Sequence, residues 1–224
     1  MALPLTSDQP DRSVEPEARA VAREFILARM GSLLALLPLG AWTAVHLWNQ
    51  LAAYDSAEAW QRAVTWHSSS ASTALSFMFV LVPLVWHTGW GTVRMLRSRP
   101  VVRIGWLSNV RYIVQRLSAI GLLFFLGAHL YLAWFEPRFL RGHAEVFADI
   151  SREMRFHTPT LIVYVLGVLA ISYHLANGLW SWSMAWGVTV SKSGLAWMER
   201  VALLLFFLFL ALGWLAIYGL YRNG

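Results

Sequence analysis

The sequence predicts an all-α integral membrane protein of five transmembrane helices, the first four packed as an antiparallel four-helix bundle. Three observations predict it. The chain of 224 residues is 58% hydrophobic and only 13% charged, with a mean hydropathy of +0.51, too apolar for a domain with a water-facing surface. Five apolar runs are each long enough to cross a hydrocarbon core of ~30 Å, which takes about 20 helical residues. Each of the first four carries one histidine, His46, His87, His129 and His174, at intervals of 41, 42 and 45 residues. An interval of one crossing plus one turn makes successive helices antiparallel.

The elements follow in order. Residues 1 to about 24 are polar, with Asp8, Asp11, Glu15 and Glu17, and lack the basic and apolar regions of a cleaved signal peptide. Residues 1–29 therefore read as a cytoplasmic N-terminal tail before a membrane domain at 30–224. Within the tail, Glu17 to Arg29 has a helix-forming composition suited to a membrane surface. The spans are expected at 30–53, 71–95, 112–135, 158–182 and 200–221, with Pro38 and Pro83 kinking the first two.

Arginine placement orients them. Arg94, Arg97, Arg99, Arg103 and Arg111 join spans two and three, and Arg19, Arg23 and Arg29 precede span one, which puts both segments and the N-terminus in the cytoplasm. The 136–157 connection has four arginines too, but Glu136, Glu145, Asp149 and Glu153 accompany them, and the alternation of spans places it outside. The formal charge of +6, carried by arginine and the single Lys192, reports topology and docking surfaces rather than nucleic acid.

No cysteine is present, which excludes disulfides, thiolate-ligated iron–sulfur clusters and covalent haem attachment, and leaves histidine as the main candidate metal ligand. A histidine in hydrocarbon needs a hydrogen-bond partner or a metal, because lipid offers its ring nitrogens neither. Spans one and three carry His46 and His129 in their outer parts, and spans two and four carry His87 and His174 in their inner parts. Two level pairs result, separated along the membrane normal by on the order of 12 Å at ~1.5 Å per helical residue. Spans one and three, like two and four, stand across the axis of an alternating bundle. Each pair can then grip a flat macrocycle from both faces, so the bundle is expected to form around two bis-histidine haems.

Gly40 and Gly121 precede the outer histidines by 6 and 8 residues, and Gly91 and Gly178 follow the inner ones by 4. Glycine there lets backbone approach a porphyrin, though helix packing uses the same residues. Ser32 lies 14 residues before His46 and Arg116 lies 13 before His129, which brings both level with the inner pair as partners for haem propionates. For Arg116 the plainer account is a snorkelling interfacial anchor.

At these residues the chain resembles a known family. The stretches RMGSLLALLPLGAWTAVHLWNQ from Arg29, QRLSAIGLLFFLGAHL through His129, and YHLANGLWSWSMAWGVTVS from Tyr173 are similar to the di-haem, five-helix cytochrome b subunit of bacterial succinate:quinone oxidoreductases. HLANGLW followed by WGVTVS is the most specific piece, and the placement of the four histidines the next. The resemblance spans the whole hydrophobic region. It implies that His46 and His129 ligate an outer haem iron and His87 and His174 an inner one, in agreement with the depth argument. It also implies a multi-pass anchor in the bacterial cytoplasmic membrane, the electron-transfer subunit of succinate dehydrogenase. A flavoprotein (FAD) subunit and an iron–sulfur subunit would oxidise succinate on the cytoplasmic face, and electrons would reach a quinone through the inner and then the outer haem. No dicarboxylate chemistry is expected in this chain itself. The 94–111 connection, the N-terminal tail and the 183–199 connection are the surfaces available for docking, unless phospholipid headgroups account for their basicity.

The sequence does not distinguish a quinone site beside the outer haem from one at the inner haem; beside the outer haem it offers His67 and His157 as candidates. His67, with Ser68 to Ser70, stands at the start of span two, where an imidazole can hydrogen-bond a quinone carbonyl and donate a proton near neutral pH. His157 has a comparable position at span four, but it and His143 read better as exposed histidines. Electrons moving outward travel with a negative-inside potential, worth ~2.3 kcal/mol per charge per 100 mV. That would assist reduction of a low-potential quinone such as menaquinone. Fumarate-reducing relatives can carry an acid near the fourth histidine, whereas Ser172 and Tyr173 stand there in this chain and no Asp or Glu lies inside any expected span. The balance falls toward succinate oxidation over fumarate reduction. A di-haem anchor of the nitrate reductase or hydrogenase kind would concentrate its ligands on fewer helices. A haem-free transporter would place charged residues near the midplane.

Overall fold

The computed structural model describes residues 14–65, 74–97 and 106–224, so the expected quinone site at His67 and Ser68 to Ser70 lies outside the described residues, as do Asp8, Asp11, Arg99 and Arg103. The described part is helical throughout its long elements, as a chain in lipid must be, because a helix satisfies its own backbone polar groups where no water can. Five helical stretches are long and apolar enough to cross a membrane: Ala18–Tyr54, Ala74–Arg97, Asn109–Leu140, Thr158–Ala185 and Lys192–Asn223.

The first span combines α1 (Val14–Leu34), a π-helical segment (Ala35–Gly40), α2 (Ala41–Gln50) and a 3-10 turn (Leu51–Tyr54). α1 runs without interruption through residue 30. Pro38 lies inside the π-helical segment, where the wider turn accommodates a residue that cannot donate. The second span repeats the device, with π-helical Phe77–Leu81 leading into α4 (Val82–Arg97) just before Pro83. The first short helix between them is α3 (Ala57–Thr65). In the third span α5 (Trp106–Leu130) runs on as a π-helical segment (Tyr131–Leu140) around Pro137, which extends the crossing beyond the expected residue 135.

A short amphipathic helix, α6 (Phe147–Phe156), occupies the connection to α7 (Thr158–Ala185), and α8 (Lys192–Asn223) is the last crossing. Gly187 ends α7 with φ +69, the left-handed conformation that glycine adopts without penalty. That turn lets the Val188 amide reach back to the Ser183 carbonyl at 2.8 Å.

Backbone approach joins α1 to α4, α5 to α7, and α7 to α8, while α8 also packs on α2, α6 and the Leu51–Tyr54 turn. Close contact between α7 and α8 depends on Gly213, where a Cβ would stand 2.5 Å from Val168 Cγ1. The main buried cluster, Ala53, Trp60, Phe147, Ile150, Met154, Tyr164, Val168, Ile217 and Leu220, gathers at one end of the molecule, where α3 and α6 cover the ends of spans one, four and five. Polar groups tie that cap: Trp60 Nε1 donates to Gln50 Oε1 at 2.6 Å, and Gln61 accepts from the Phe147 amide at 2.9 Å. Elsewhere large apolar side chains such as Val85, Phe124 and Leu204 face outward, as lipid-facing residues do.

Two acids near span ends are paired. Glu199 meets Arg111, and Glu136 accepts from Arg141 at 2.7 Å. In the 136–157 connection Arg138 pairs with Glu145 at 2.6 Å, and Arg141 reaches Asp149 at 3.0 Å. The hydrogen bond that Arg141 donates to Glu136, with the charges of Glu136 and Asp149, holds its guanidinium above its ordinary pKa.

Candidate functional site

The four apolar-span histidines meet in alternate pairs. His46 on α2 faces His129 on α5 with ring centroids 5.8 Å apart, and His87 on α4 faces His174 on α7 at 6.1 Å. The ring planes are nearly perpendicular, at 78° and 75°. A metal–imidazole bond of about 2 Å puts each ring centroid roughly 3 Å from the metal, so two axial imidazoles on one metal stand about 6 Å apart. Both pairs meet that spacing. An edge-to-face aromatic contact has a similar separation.

Three of the four rings have Nδ1 engaged. His87 Nδ1 lies 3.3 Å from the Gly31 carbonyl, which can only accept, so the proton sits on Nδ1 and Nε2 keeps its lone pair. His129 Nδ1 is 3.1 Å from the Tyr164 hydroxyl. His174 Nδ1 is 3.2 Å from both Gln115 Nε2 and Ser118 Oγ, the latter donating to the Gln115 carbonyl at 2.8 Å. Gln115 Nε2 donates to the His174 carbonyl at 3.3 Å, and its Oε1 accepts from Asn177 at 2.8 Å. Orienting bonds of this kind, from the nitrogen that is not the ligand, are what metal-binding histidines carry.

Aromatic rings complete the outer pair. Trp42 stacks on His46 at 6.0 Å and Phe125 on His129 at 5.5 Å, each from four residues earlier on the same helix. Phe125 reaches that position because residue 167 is glycine: a Cβ there would overlap the Phe125 ring. Among the described residues no third His, Asp or Glu joins either pair. Two imidazoles alone fall short of the four-donor set of a structural zinc, but they form a full axial set for a porphyrin, which brings its own equatorial nitrogens.

The pairs lie at two levels. Tyr164 touches His129, and ten residues later on α7 is His174 itself, so the levels are separated by roughly 15 Å at the helical rise. The glycines divide between two uses. A Cβ at Gly91 or Gly178, one turn beyond the inner histidines, meets nothing within 4 Å, whereas at Gly40 it would touch Leu175 at 3.5 Å and at Gly121 Ala170 at 3.8 Å. Gly40 and Gly121 serve helix packing; Gly91 and Gly178 do not.

Ser32 donates to the Arg29 carbonyl at 2.8 Å and accepts from Trp186 Nε1 at 3.2 Å. Around Trp186 stand the Arg29 guanidinium, 5.6 Å from its ring, and Trp182, at 5.8 Å. Arg29 Nη1 and Trp182 Nε1 are buried donors with no hydrogen-bond acceptor among the described residues. Such orphaned N–H groups call for an acceptor-rich group, and a carboxylate suits them. Arg116 lies over the Tyr112 ring at 4.2 Å. Of the remaining histidines, His143 is exposed near Asp149, and exposed His157 contacts Thr160 and Glu153 at the start of α7. Ser172 is fully buried and bonds its own helix, and Tyr173 donates to the Arg111 carbonyl at 3.4 Å.

Sequence reasoning found the histidines and missed their partners. Gln115, Ser118 and Tyr164 are polar residues inside apolar runs, each placed about one histidine level away from the histidine of its own helix. That register was the available signal.

No family model matches the chain, and no solved structure does. Among curated proteins, the chain is 30% identical over 187 residues to the succinate dehydrogenase cytochrome b558 subunit of Bacillus subtilis, covering 82% of this chain and 91% of that protein.

Proposed function

The chain belongs to the succinate dehydrogenase cytochrome b558 subunit family, and from that membership we propose that it anchors such a complex in the membrane and passes electrons through two b haems to a quinone. It is a multi-pass membrane protein with five apolar helices. The observation that carries the proposal is the pair of facing histidine couples at two depths.

His46 with His129 would hold an outer haem and His87 with His174 an inner one. Bound haem supplies a one-electron carrier whose potential the axial ligands and their surroundings set. The residues of this chain do the rest. Gly31, Ser118 and Tyr164 orient the ligand rings, and the spans exclude water from both couples. Ser32 and Arg116 are proposed for the inner haem propionates; the orphaned donors of Arg29 and Trp182, clustered around Ser32, support a carboxylate at that end.

The N-terminus is proposed to be cytoplasmic, in a bacterial inner membrane, with the 136–157 connection outside, as the arginines of the 94–111 connection favour. A flavoprotein (FAD) and an iron–sulfur subunit would dock on the cytoplasmic side and carry out succinate oxidation. The quinone, menaquinone by the potential argument, is placed beside the outer haem with His67 as its hydrogen-bonding and proton-donating residue. A pyridine haemochrome assay on the purified chain tests the proposal. Two b haems per polypeptide are expected, and their absence contradicts it. Replacing His67 by alanine is expected to lower quinone reduction with both haem spectra intact; unchanged turnover rejects the role given to that residue.

A further inference from the structure

We propose that Tyr164 is a positioning residue for the outer haem, accepting the His129 Nδ1 proton and thereby fixing the plane of that ring and the potential of the iron it binds. The inference rests on the reading of His46 and His129 as a haem-binding couple.

The hydroxyl lies 3.1 Å from His129 Nδ1, and the phenol ring stands 5.6 Å from the imidazole at 67°. With Nε2 on a metal, the neutral ring carries its proton on Nδ1, so the Tyr164 oxygen is the acceptor. Tyr164 is well placed to hold a direction. It is only 8% exposed and belongs to the main buried cluster, and Phe125 meets its ring edge-on at 5.4 Å while stacking on His129 itself. A rotation of the His129 ring would therefore break the hydrogen bond and displace packed aromatics together.

A hydrogen bond accepted from the second nitrogen strengthens the imidazole as a donor, which favours ferric over ferrous iron. Removing the acceptor should raise the potential. The inner couple has other partners, the Gly31 carbonyl beside His87 Nδ1 and Ser118 with Gln115 beside His174 Nδ1. A change at residue 164 should therefore be felt at one haem only.

The test uses the intact complex in membranes. In Tyr164→Phe both haems are expected, with the outer midpoint potential shifted upward and the inner one unmoved. The largest g value of the outer low-spin ferric EPR signal, which follows the angle between ligand planes, should move as the His129 ring is freed. Tyr164→Gln, whose amide oxygen can accept the same proton, should give an outer potential below that of the phenylalanine variant. Loss of the outer haem alone in the phenylalanine variant, with recovery in glutamine, is the stronger form of the same result. An unchanged outer potential and g value, an inner shift as large as the outer, loss of both haems, or glutamine at or above phenylalanine each overturns the inference. Failure of the underlying reading looks different: His129→Ala would then retain both haems.

Discussion

A buried donor without an acceptor costs about 1–3 kcal/mol, more when it is charged, and the residues around the inner histidine couple concentrate that cost. Arg29 Nη1 and Trp182 Nε1, near Ser32, are both buried without an acceptor among the described residues. A charge-assisted hydrogen bond to a propionate is worth about 1.5–3 kcal/mol, so Arg29→Ala should weaken retention of the inner haem roughly 10- to 100-fold. Haem titration in detergent, followed at the two haem bands, should show the outer haem unaffected; equal loss of both would assign Arg29 a general role in stability. At this scale the histidines were legible because an imidazole in an apolar run has few explanations. Tyr164 was not, since tyrosine near a membrane interface is ordinary. Its meaning depends on α5 bringing His129 to within 3.1 Å.

Helices in lipid gain little from burying apolar surface against one another, so close packing at small residues has to hold them. Gly213 is such a point between α7 and α8, with Val168 already filling the space a side chain would need. Gly213→Leu should destabilise the protein by about 1–3 kcal/mol, seen as an earlier thermal loss of the haem spectrum. A wild-type melting profile would remove Gly213 from the account. The cap formed by α3 and α6 rests on Trp60, 2% exposed and 5.6 Å edge-on from Phe147. Trp60→Ala should cost about 3–5 kcal/mol, and because the cap shares its buried cluster with Tyr164, heating should release the outer haem before the inner. Simultaneous release would show that the cap does not support the outer couple. The five crossings were readable from apolar length alone. The cap helices were not, because a helix of 9 or 10 residues offers too few turns for its periodicity to stand out from a polar loop. The π-helical extension through Pro137 also escaped notice, since an acid and a proline together mark a span's end more often than its continuation.

Across the whole molecule, the histidine couples join alternate spans. Successive helices pack side by side, α1 with α4 and α5 with α7, while the histidine couples link the first span to the third and the second to the fourth. The absence of cysteine makes the orientation directly measurable. In intact cells a membrane-impermeant maleimide should label Ala144→Cys and leave Ser98→Cys unlabelled; the reverse pattern would invert the topology and with it the names inner and outer. The alternation itself is tested most directly by haem stoichiometry in double variants. His46→Ala combined with His129→Ala removes both members of one couple and should leave one haem per polypeptide. His46→Ala combined with His87→Ala damages both couples and should leave none. One haem in the second variant and none in the first would contradict the pairing on which the account depends.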